Sequence, residues 1–113
     1  MIYKMMLMAI LTFPEISIAI GTVESRMDHK AVGDQGRSRG AFQVQSRIWG
    51  KVPAGLKAQM RQHNDIMLEL LRASNGDIPA TIRRYNGRGK ATRRYLGMVT
   101  REALERELLP TGT

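Results

Sequence analysis

Residues 14–27, PEISIAIGTVESRM, put apolar side chains at Ile16, Ala19, Ile20, Val23 and Met27, the i, i+3, i+4, i+7, i+11 stripe of an α-helix. Pro14 suits a first helical turn, and Glu15 sits near the positive helix end. Ile18 and Gly21 lie off the stripe, so the helix is apolar around much of its circumference, and such a helix belongs at the centre of a domain. Glu24 falls at the edge of the stripe, about 80° from its centre at 3.6 residues per turn. A carboxylate there is partly desolvated, which raises its pKa toward neutrality. A raised carboxyl is what a general acid for glycosidic cleavage requires. Position alone favours a plainer role, a boundary glutamate paired with Arg26 or another base.

Upstream, MIYKMMLMAILTF (residues 1–13) has the outline of a secretory signal, with Lys4 as the charged end and Ser17-Ile18-Ala19 as a small-x-small cleavage site. Cleavage there would leave Glu24 within about five residues of the new terminus, in a helix stripped of its first turns. A packed helix over residues 2–11 is therefore expected, with no cleavable signal. The run is far short of the ~20 residues needed to cross a bilayer, so no membrane span is expected.

Downstream, residues 31–39 (AVGDQGRSR) are rich in glycine and charge and read as a loop or a small β excursion. A short helix is expected near residues 46–49, followed by breaks at Gly50, Pro53 and Gly55. A long helix over residues 56–74 carries Leu56, Met60, His63, Met67, Leu70 and Leu71 on one side. Asn75-Gly76 ends it, and Asp77 caps a helix over residues 78–85. Asn86-Gly87-Arg88-Gly89 turns the chain into a last helix over residues 90–109, with Tyr95, Met98, Val99 and Leu104, stopping before Pro110. The expected fold class is all-α, with a minor β excursion near residues 31–45. The eight methionines read as core filler on these faces.

A chain of 113 residues has the size of one unit with its own core, so a single domain over residues 1–113 is expected. With no cysteine, disulfides and thiolate metal sites are excluded. His29 and His63 are too few and too far apart in sequence for a zinc site, and neither a metal nor a cofactor is expected. The net charge of +8 points to an anionic partner, for which nucleic acid, a membrane surface and cell-wall polymer all qualify.

VESRMDHKAVGDQGRSRGAFQV (residues 23–44) and RRYNGRGKATRRY (residues 83–95) carry three motifs in order. These are Glu24-Ser25, Gly40-Ala41-Phe42-Gln43 and Tyr85-Asn86-Gly87-Arg88-Gly89. Together they resemble the catalytic domain of the soluble lytic transglycosylases, whose signature is a helix ending in Glu-Ser, a Gly-x-x-Gln segment and a Tyr-Asn-x-Gly turn. The resemblance spans most of the chain, since MMLMAILTFPEISIAIGTVES (residues 5–25) matches the family's two opening helices in layout. Glu-Ser alone is a common dipeptide; three motifs in order, at this spacing, are more specific. The short chain and the wording of GDQGRSRGAFQV (residues 33–44) look most like phage-encoded or secretion-associated members.

The resemblance implies a lysozyme-like fold and a substrate, the glycan of peptidoglycan, cut between N-acetylmuramic acid and N-acetylglucosamine. It implies that Glu24 is the single catalytic acid and base, that Gln43 contacts the sugar, and that Tyr85 approaches and holds the Glu24 carboxyl. Asn86 would shape that side of the cleft, and Ser25 would support the helix end. It implies action at the bacterial cell wall, in the periplasm, with delivery in a phage particle or by a secretion apparatus, and no specific nucleic acid as partner.

Two departures bear on the product. Gly33 stands where the family usually has a serine thought to steer the substrate's N-acetyl group, and Gln45 replaces a frequent methionine. Asp34 adds a second carboxylate that would activate water, which leaves open a hydrolytic lysozyme of the same bond. The cluster Arg83, Arg84, Arg88, Lys90, Arg93 and Arg94, interleaved with Tyr85 and Tyr95, leaves open another class, a non-catalytic basic module that binds nucleic acid. Gly87-x-Gly89-Lys90 is too short for a phosphate-binding loop.

Overall fold

Ile16, Ala19 and Ile20 are fully buried, as the stripe requires, and they anchor helix α1, Phe13–Ser25. The computed structural model describes the backbone of residues 13–86 and 91–108; the helix expected over residues 2–11 and the turn at residues 87–90 lie outside them. Helix α1 stops at Ser25, two residues short of the expected end. Arg26 and Met27 both adopt left-handed φ, 57° and 62°, while Met27 N–H reaches back to Gly21 C=O at 3.1 Å. That closing turn folds Met27 over Gly21, where a β-carbon would meet its Sδ and the Phe42 ring. Met27 and Val23 are thus half-buried neighbours of the core rather than its centre.

The β excursion is a three-stranded antiparallel sheet of two-residue strands, β1 Val32–Gly33, β2 Ser38–Arg39 and β3 Val44–Gln45. Val32 pairs with Arg39 and Gly33 with Ser38; Ser38 pairs with Gln45 and Arg39 with Val44. A 3₁₀ turn at Asp34–Gly36 joins the first two strands with positive φ at Asp34, Gln35 and Gly36. Helix α2, Ser46–Trp49, follows directly on β3.

Helix α3 spans Leu56–Ala73 and buries Gln59, His63, Ile66 and Met67. The buried face therefore includes two polar residues, whereas Leu56, Met60 and Leu70 lie at its margin. Asn75, at φ 54°, and the bond from Gly76 N–H to Leu71 C=O at 2.9 Å close the helix. Asp77 accepts the Ala80 N–H at 3.0 Å and so caps helix α4, Ile78–Asn86. Helix α5, Ala91–Leu108, packs chiefly against α1 and α4. Tyr95, Val99 and Ala103 form its buried seam, while Met98 is 47 % exposed and is not core filler.

The fold is thus mainly helical with one small sheet. Its core joins α1, α3, α4 and α5 to Phe42, which is 1 % exposed and lies between β2 and β3 in the chain. Phe42 fastens the sheet segment to the helices, and its truncation to alanine would cost about 3–5 kcal/mol. None of the described helices is long and apolar enough to cross a membrane.

Candidate active site

Glu24 sits in the last turn of α1, one turn beyond fully buried Ile20, and is itself half-buried. It lines a cavity of about 250 Å³ together with Asp34, Ser38, Gln43, Arg84, Tyr85 and Asn86, with Ile48 and Trp49 on the apolar side. The three motif segments thus meet at one cleft. Ser25 stands behind it: its hydroxyl donates to Ala41 C=O at 2.6 Å and accepts the Asp28 N–H at 3.0 Å. This ties the end of α1 to the segment that carries Gln43.

Burial raises the Glu24 carboxyl above the ordinary glutamate value, hydrogen bonding from Tyr95 works against the rise, and the negative charge of Asp34 adds to it. The hydroxyl that faces Glu24 therefore belongs to Tyr95, on α5. Tyr95 Oη is buried and, among the described residues, has no well-aligned hydrogen bond at rest. Its contact with Glu24 is close enough to act on the carboxyl but falls short of good hydrogen-bond geometry. Burial, with Glu24's charge behind it, pushes the Tyr95 phenol far up, so it remains a donor at any working pH.

Tyr85 is engaged elsewhere. Its hydroxyl donates to Phe42 C=O at 2.6 Å and lies 3.3 Å from His63 Nδ1. Burial and the nearby Glu24 charge raise its phenol as well. His63 is fully buried, stacked on Phe42 with 4.1 Å between ring centroids, and 3.0 Å from Ser17 Oγ through Nε2. Each group can be satisfied once if the proton sits on Nδ1: Ser17 donates to His63 Nε2, His63 Nδ1–H donates to Tyr85, and Tyr85 donates to Phe42 C=O. Burial holds the imidazole neutral, lowering its pKa to about 3. This chain fixes the Tyr85 ring as a wall of the cleft rather than as a partner of the acid.

Gln43 adopts a left-handed φ of 50°, and its side-chain amide donates to Gly40 C=O at 3.0 Å. The carboxamide oxygen lies against Gly33. Asp34 is exposed but held: buried Ser38 donates to its Oδ2 at 2.6 Å. Among the described residues, the cleft therefore carries one carboxyl with a raised pKa, a second carboxylate on the turn between β1 and β2, an exposed Arg84 and two half-buried amides. No cluster of three His, Cys, Asp or Glu suited to a metal occurs among the described residues.

Of the basic cluster, Arg84 lines the cleft, Arg83 is half-buried and Arg94 is exposed; Arg88 and Lys90 lie outside the described residues, as does the Arg93 side chain. Tyr95 and His63 are the functional candidates that sequence reasoning missed. The available signal was a polar-tipped ring in an apolar helical stripe, since a buried Tyr or His needs a partner for its polar atom. Comparison with protein-family models, curated proteins and solved structures finds no match.

Proposed function

We propose that this protein is a peptidoglycan lytic transglycosylase of lysozyme-like fold, working at the bacterial cell wall with Glu24 as acid and then base. The observation that carries the reading is a carboxyl raised by burial, in the wall of a cleft that also gathers Gln43, Tyr85 and Asn86. A raised carboxyl stays protonated long enough to donate at near-neutral pH. Glu24 protonates the bridging oxygen as the C1–O bond of N-acetylmuramic acid breaks. The substrate's own acetamido oxygen stabilises C1, the substrate-assisted exception to the two-carboxylate rule. Ionised Glu24 then takes the proton of the C6 hydroxyl, which closes on C1 to give a 1,6-anhydro end. No water is consumed.

One observation favours hydrolysis as a second reading. Asp34 lines the same cleft, and Ser38 holds its carboxylate. A second carboxylate in the cleft would activate water on the opposite face of the sugar. Incubation with purified sacculi and mass analysis of the released muropeptides tests both. Anhydro products are lighter than hydrolysed ones by one water, and inert sacculi would reject the enzyme altogether.

A further inference from the structure

A second cavity, of about 540 Å³, opens beside the sheet and is lined by His29, Lys30, Arg39 and Lys51, with Gln59 at its base. Among the described residues, no carboxylate lines it, whereas two carboxylates and one arginine line the Glu24 cleft. One buried side chain, with the β1–β2 pairing, ties its walls together. The Gln59 amide, 4 % exposed, accepts the Ala41 N–H at 2.9 Å and donates to His29 C=O and to Pro53 C=O, each at 2.9 Å. Three separate backbone segments are thereby tied together around the cavity. Gly40, at φ +84°, passes so close over Gln59 that any β-carbon would collide with the amide. Three permanent cations gathered in a preformed concavity attract oxyanions.

The two cavities share β2. Ser38 lines the Glu24 cleft and Arg39 lines the basic cavity, since successive side chains of a strand face opposite sides. The turn from Gly40 to Gln43, closed by a 3.2 Å backbone bond, separates them. We propose that the basic cavity is a subsite for the carboxylates of a flexible peptide carried by the glycan whose sugars occupy the Glu24 cleft. Four or five extended residues reach about 15 Å from the sugar that carries them, so such a peptide can leave the cleft by a path of its own. The inference rests on the glycan reading of the first cleft.

The test uses glycan strands with their stem peptides and the same strands stripped of peptides by an amidase. Arg39→Glu combined with Lys51→Glu, both at exposed positions, should raise KM on peptide-bearing strands roughly tenfold, a change of about 1.4 kcal/mol. The kcat on those strands, and both constants on stripped strands, should be unchanged. Equal losses on both substrates, or none on either, would overturn the proposal. Direct binding of free stem peptide reads the subsite without catalysis: wild type should bind it, and should lose it when the carboxylates are amidated or the two charges reversed. Inert sacculi together with that binding pattern would reject the transglycosylase reading and leave the anion subsite standing. Tighter binding of polyglycerol phosphate than of the peptide would overturn the peptide as its source.

Discussion

The Gln43 carboxamide oxygen occupies the space that a β-carbon on Gly33 would take, so the glycine and the glutamine form one structural unit across the sheet. Glycine at 33 departs from the serine of the family this chain resembles, and the space it leaves is filled by an amide. Gln43 is also held by its bond to Gly40 C=O and by a left-handed backbone, a conformation kept where the surroundings enforce it.

Gly33→Ala should therefore behave as a mutation of Gln43. The obstacle is the far end of a flexible side chain, so the protein should fold with a loss under about 1 kcal/mol. Activity on sacculi should fall by the same factor as in Gln43→Ala, on the order of tenfold to a hundredfold for one lost sugar hydrogen bond. Combining the two substitutions should add little further. An active Gly33→Ala beside an inactive Gln43→Ala would show that the contact has no bearing on substrate.

Glu24→Gln should abolish clearing of sacculi, with a loss of roughly 10²–10⁴-fold. It should also raise the thermal midpoint at pH 7. A carboxyl whose folded pKa is raised by burial favours folding below its unfolded value and disfavours it as pH rises through the folded one. Replacing it with a neutral amide removes that penalty. A loss of activity under about tenfold would dismiss Glu24 as the acid.

His63 gives the opposite pH dependence. Its pKa of about 3 when folded lies below the ordinary 6.5, so neutral burial stabilises the protein above pH 6.5 and the stabilisation drains away as pH falls toward 3. The slope is about 1.4 kcal/mol per pH unit at most. Glu24 opposes it in the upper part of this window, so the measurement is cleanest in the Glu24→Gln background. Denaturant midpoints between pH 7 and pH 4 should fall there and should flatten when His63 is replaced. A flat profile in Glu24→Gln would mean that the imidazole takes up its proton as readily in the folded protein as in the unfolded one.

The helices were legible because apolar spacing follows from burial: Ile16, Ala19 and Ile20 point inward whatever the surrounding topology. The end of α1 was not, since Arg26 and Met27 take left-handed angles with no glycine to announce them. The same holds for the sheet, whose turns put Asp34, Gln35 and Gln43 at positive φ. Motif order brought out Glu24, Gln43, Tyr85 and Asn86, which share one cleft. It could not separate Tyr85 from Tyr95, because that depends on which ring's hydroxyl is already bound to Phe42 C=O and His63. Gln59 was also invisible: a glutamine spent wholly on backbone groups leaves no mark in a helical pattern.

The two tyrosines should separate in mutants. Tyr95→Phe removes the hydroxyl whose contact holds the Glu24 carboxyl down, so the alkaline limb of the activity profile should move up in pH. Stability should change little, since Tyr95 Oη has no well-formed bond among the described residues. Tyr85→Phe leaves Phe42 C=O and His63 short of a partner and should cost about 1–3 kcal/mol. Identical pH profiles for the two variants would place neither hydroxyl at the acid.

Asp34→Asn decides the product. Asp34 lies in the cleft, and its charge helps raise the Glu24 carboxyl. Removing that charge should move the alkaline limb down in pH, opposite to Tyr95→Phe. A general base in an inverting hydrolase must also hold a water between carboxyls ~6.5–9.5 Å apart. Asp34 is exposed, on a turn at φ 51°, and holds its place through one bond from Ser38. A solvated turn carboxylate is a poor positioner of water. Below the shifted limb, Asp34→Asn should therefore keep most of its activity, within about threefold, since a lost general base would cost roughly 10²-fold or more. Products from both forms should be 1,6-anhydro muropeptides with no oxygen drawn from labelled water. Labelled reducing ends from the wild type, lost together with activity in Asp34→Asn, would establish the hydrolase and overturn the transglycosylase.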